Sequence, residues 1–95
     1  MEYVLPGAVE KKKLNDILMG TAIILGDCGI TQNQEDASAS YRVGKYNIEV
    51  KPICETSEQT LISKIEIKCE QNDGVVEKEI AATLELAYRE LISQK

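Results

Sequence analysis

The sequence predicts a two-layer α+β domain in the order α-β-β-β-α, with a three-stranded antiparallel sheet and two helices packed on one of its faces. Three observations carry this. Apolar residues recur at helical spacing from Ala8 to about Cys28 and again from Val75 to about Ser93. Between these stretches, three runs alternate apolar and polar residues at the strand period. Two of those runs are joined by Gly44-Lys45, a link whose leading glycine suits a tight hairpin.

Taken in order, Met1 to Leu5 is closed by Pro6-Gly7, so residues 1–7 read as an N-terminal arm or a short edge strand. The first helix follows, with Leu14, Ile17, Leu18, Thr21, Leu25 and Cys28 as its stripe. Met19, Ala22, Ile23 and Ile24 widen that stripe in the C-terminal half, Gly26 and Gly29 both read as helix-ending residues, and Gly29 is positioned to supply the left-handed cap. Thr31 to Asp36 is polar throughout and reads as a loop. Ala39, Tyr41 and Val43 then share one face of a strand, as do Tyr46, Ile48 and Val50 on the next. A type II′ turn at Gly44-Lys45 makes Val43 and Tyr46 cross-strand partners and puts both apolar sets on one side. Pro52 ends central pairing or marks an edge. In the third strand Leu61, Ile65, Ile67 and Cys69 face the core, while Ile62 falls among Lys64, Glu66, Lys68 and Glu70 on the polar face. Asn72-Asp73-Gly74 closes that strand, and Asp73 is placed to cap the second helix. Val76, Ile80, Thr83, Leu84, Ala87, Tyr88 and Leu91 form its buried stripe.

A chain of 95 residues is one domain, residues 1–95. At that size about two-thirds of the unfolded surface can be buried. Without Trp or Phe, and with four Tyr, the core must be mainly aliphatic. Sixteen acidic residues against eleven basic ones give a net charge of −5, the wrong sign for a surface that neutralises phosphates. There is no histidine, which removes the side chain most used for acid–base work near neutral pH and the commonest metal ligand. Cys28, Cys54 and Cys69 have neither paired number nor CxxC spacing, so they read as free thiols of a reducing compartment. Lys11 to Lys13 followed by Ile17 to Leu25 looks superficially like a leader sequence. Asn15 and Asp16 interrupt the junction, Asp27 precedes Cys28, and the run is far short of the ~20 residues that span a bilayer. The expectation is a cytoplasmic chain with no membrane segment.

The α-β-β-β-α order over residues 8–93 resembles the topology of double-stranded-RNA-binding domains. That resemblance implies duplex RNA contacts from a basic second-helix start and a Gly-Pro and histidine loop. Here those positions read Val75-Val76-Glu77-Lys78-Glu79 and Gly44-Lys45, so nucleic acid is not the expected partner and the RNA-binding-like domain is the alternative reading. The opening helix-and-strand order is also similar to that of small acidic chaperones of bacterial secretion systems, which are dimeric.

No arrangement of nucleophile and base, paired carboxylates, phosphate cradle or metal ligands stands out, so catalysis, cofactors and metals are not expected. Gly20 reads as a close-packing position. Glu49 and Glu66 share the polar sheet face with Lys51, Lys64 and Lys68, a pattern of exposed cross-strand ion pairs. The expected function is therefore a small acidic protein-interaction module (an adaptor, inhibitor or chaperone-like regulator) that binds another protein and acts as a homodimer. Its expected interface comprises Met19, Ile23 and Ile24 of the first helix, Ile62 on the outer sheet face, and Tyr41 and Tyr46 beside the hairpin turn.

Overall fold

The sheet has five strands, two more than alternation predicts. A computed structural model describes residues 1–56 and 58–93. Its elements are β1 (Glu2–Glu10), α1 (Lys11–Leu25), β2 (Gly29–Asn33), β3 (Ser38–Val43), β4 (Tyr46–Pro52), β5 (Leu61–Cys69) and α2 (Gly74–Ser93). The strands lie in the order β1-β5-β4-β3-β2, every neighbouring pair antiparallel. The α+β class stands, but the three-stranded sheet is corrected to five. The chain order becomes β-α-β-β-β-β-α, which removes the topological basis for the resemblance to RNA-binding domains.

Both added strands are edges, and each hid behind a misleading local signal. Pro6-Gly7 reads as punctuation before a helix, yet it lies inside β1, where the register with β5 shifts between Val4 and Val9. A proline has no N–H to offer a ladder and fits such a break. Leu5 and Val9 keep strand alternation and point into the core, so α1 begins at Lys11 rather than Ala8. At the other edge, the polar Thr31–Asn33 stretch pairs with β3 in unbroken register. An edge strand is held by its backbone, so polarity does not disqualify it. The true turn is shorter: Asn33 Oδ1 accepts from the Glu35 and Asp36 N–H groups at 3.1 and 3.2 Å. Of the two glycines read as helix-ending, Gly26, with φ of +80°, ends α1, its N–H donating to the Ala22 carbonyl, while Gly29 opens β2.

The central hairpin forms as expected. Val43 faces Tyr46, and Gly44 takes a positive φ of 59°, in the left-handed region that favours glycine. Asp73 caps α2, its Oδ1 accepting from Val75 N–H at 3.0 Å and Val76 N–H at 3.3 Å. Such a cap is worth about 1 kcal/mol.

Both helices cover one sheet face and enclose an aliphatic core. Leu14, Ile17 and Leu18 of α1, Ile80 and Leu84 of α2, and Ile48, Val50, Ile65 and Ile67 of the sheet are buried. Burial of each such side chain contributes about 1.5–3 kcal/mol. Of the Ile17–Leu25 run, Ile17, Leu18, Thr21 and Ala22 are spent on core packing.

Ile62 is the second correction. Expected on the polar face, it is fully buried opposite Val9. Ile65 and Ile62 both point inward although they are three residues apart, so strict alternation in β5 is broken between them. The break sits at the level where the β1–β5 register shifts, and a bulge of this kind re-aims a side chain to the opposite face.

Candidate functional site

The helix layer carries an apolar opening. In α1, buried residues Leu14, Ile17, Leu18, Thr21 and Ala22 take the sheet-facing side. That leaves Met19, Ile23 and Ile24 exposed at 43%, 73% and 38%. A cleft between α1 and α2 joins these three to Gly20, Ala87 and Leu91, with Asp16 and Glu90 at its rim. The helices approach closely at its floor: a Cβ placed on Gly20 would stand 3.5 Å from that of Ala87, so the small-residue reading of Gly20 corresponds to a real crossing contact. The cleft is apolar inside and acidic at its edge.

The other expected interface residues lie elsewhere. Tyr41 is buried, its hydroxyl donating to the Leu18 carbonyl at 2.6 Å. Burial pushes this phenol well above the ordinary tyrosine range. Tyr46 is half-buried at the hairpin end, with Lys45 Nζ 5.4 Å from its ring centroid. It lines a second, smaller apolar recess with Leu25, Val43, Val76 and Ile80. Ile62 is in the core. The structure therefore unites Met19, Ile23 and Ile24 and separates them from Tyr41, Tyr46 and Ile62. Ala87, which is buried, and Leu91, which is half-buried, complete the cleft from the buried stripe of α2 where helical spacing places them; that spacing tells which residues share a face and not which of them also border an opening beside the neighbouring helix.

The uncovered sheet face is polar. Glu49 faces Lys68 across the β4–β5 ladder and Lys51 faces Glu66, so opposite charges are cross-strand neighbours. Lys51 Nζ makes its close contact along its own strand, 2.8 Å from Glu49 Oε1, which raises the lysine above its ordinary value. Among the described residues no cluster of three His, Cys, Asp or Glu is arranged to hold a metal ion.

The three cysteines are free. Cys54 is exposed, Cys69 is buried, and Cys28 is half-buried with Sγ 3.7 Å from the Ala22 carbonyl. Burial first, and the Asp27 carboxylate second, push the Cys28 thiol up, away from the thiolate that nucleophilic chemistry needs. Among the described residues no helix is long and apolar enough to cross a membrane. Comparison with protein-family models, with curated proteins and with solved structures gives no match to this chain.

Proposed function

We propose that this protein is a small acidic cytoplasmic interaction module, a regulator or adaptor that acts as a homodimer and binds another protein rather than catalysing a reaction. The observation that supports it is the α1–α2 cleft, where Met19, Ile23 and Ile24 stand exposed beside Leu91. Apolar side chains gathered in one groove, rimmed by polar groups, are the usual mark of a binding surface. Its shape suits an amphipathic helix laid along the groove, with apolar anchors at i, i+3/i+4 and i+7. The rim residues Asp16 and Glu90 favour lysine or arginine on the flanks of that helix.

The test is selection from a displayed library of amphipathic helical peptides against the folded chain, repeated with Ile23→Asp. Enriched peptides are expected to share helical apolar spacing with basic flanks, and to lose at least tenfold in affinity for Ile23→Asp. No enrichment, or enrichment indifferent to Ile23→Asp, rejects the reading.

A further inference from the structure

The apolar recess at the hairpin end of the core differs from the cleft in its charges. Buried Ile80 forms its floor, and half-buried Leu25, Val43, Tyr46 and Val76 form its walls around about 300 Å³. That is the small end of the range for ligand pockets, and an apolar lining with few polar groups is their usual composition. Where the rim of the cleft carries two acids, the recess carries one charge of each sign, Lys45 and Glu79.

The two charges come from different elements. Lys45 stands on the β3–β4 turn, which Gln71 holds: its Nε2 donates to the Lys45 carbonyl at 2.6 Å and its Oε1 accepts from the Asn47 N–H at 3.1 Å. Glu79 stands on α2, one residue before the Ile80 floor. Both are thus carried on fixed backbone, and among the described residues neither side chain is in an ion pair. Lys45 Nζ rests 5.4 Å from the centroid of the Tyr46 ring. α1 ends in the wall at Leu25 with no basic residue in its last turn, so the partial negative charge of its C-terminus adds to that of Glu79. Lys78, next to Glu79 in sequence, does not line the recess.

We infer that this recess binds a free α-amino acid with an apolar side chain. The side chain lies against Ile80, the ammonium meets Glu79 and the end of α1, and the carboxylate meets Lys45. Charge complementarity selects this class. An apolar amine would satisfy Glu79 and be repelled by Lys45, whereas an apolar carboxylate would meet the reverse. A residue inside a peptide carries neither charge. A free amino acid sets both charges on the carbon that bears its apolar side chain, so one small molecule answers floor, walls and rim together. The recess and the α1–α2 cleft share no lining residue, so this site is independent of the helix-binding one.

Nuclear magnetic resonance titration of the methyl-labelled full chain tests this, with L-leucine and L-phenylalanine as probes. Saturable shifts are expected at the methyls of Val43, Val76 and Ile80. Isopentylamine, which is leucine without its carboxylate, and isocaproate, which is leucine without its ammonium, are each expected to bind at least tenfold more weakly, and glycine to cause no shift. Glu79→Gln and Lys45→Met are each expected to weaken leucine at least tenfold with an unchanged melting temperature. Glu79→Gln should also narrow the gap between leucine and isocaproate, and Lys45→Met the gap between leucine and isopentylamine. Ile23→Asp should leave leucine binding unchanged. The absence of saturable shifts with both amino acids overturns the assignment. So does either single-charge analogue binding as tightly as leucine, leucine binding indifferent to both rim variants, or its loss in Ile23→Asp. None of these outcomes bears on peptide selection at the cleft.

Discussion

Tyr41 shows how a single residue's role depends on what lies above it. Alternation in β3 places it on the core side, and that much is legible from Ala39, Tyr41 and Val43. The depth of its burial, and the Leu18 carbonyl that receives its hydroxyl, come from a helix distant in sequence. The hydroxyl is held protonated in the fold, its value raised mainly by burial. The folded chain therefore keeps a proton that the unfolded chain releases near pH 10, and stability is complete below that pH and falls above it. Tyr41→Phe is expected to cost about 1 kcal/mol at pH 7 through the lost hydrogen bond. The gap between the two proteins should narrow above pH 10 in urea unfolding. An equal gap at pH 8 and pH 10.5 would show that the phenol's protonation is not linked to folding.

Among the elements, those with strong local chemistry are the ones that pattern alone identifies. The cap of α2, the Gly44 turn and the stripes of both helices each depend on residues close in sequence. The edge strands do not. β1, whose first residues read equally as an arm or a short edge strand, is decided and extended to Glu10 only when β5 is beside it, and its Gly7 has a reason only when α2 is in place: a Cβ there would meet Tyr88 Oη at 2.7 Å. Gly7→Ala is expected to tilt the Tyr88 ring and to destabilise by about 1 kcal/mol, at the low end for overpacking. Tyr88→Phe in the same chain should recover most of that loss, a coupling that a double-mutant cycle in urea reads directly. Independent, additive effects would mean that the two residues do not share the space.

At the scale of the whole molecule, two isoleucines with the same expected role part company. Ile23 and Ile62 were both expected as exposed interface residues, and the fold exposes the first at 73% while burying the second completely. Ile62→Asp is expected to unfold the chain, because it buries an unpaired charge. Ile23→Asp should stay within about 0.5 kcal/mol of the parent, as surface substitutions do. Thermal melts of the two variants separate these outcomes, and comparable melting temperatures would place Ile62 outside the core. The sequence by itself determined the α+β class, both helices, the β3–β4 hairpin and the aliphatic core, because each follows from periodicity, capping or turn chemistry acting over a few residues. It also located Met19, Ile23 and Ile24 as surplus apolar surface on α1. Only the tertiary structure decided the two edge strands, the inward turn of Ile62, and the joining of α1 to Leu91 in one cleft. Those depend on backbone pairing and helix contacts between residues far apart in the chain, where a register shift or a neighbouring helix outweighs the local pattern.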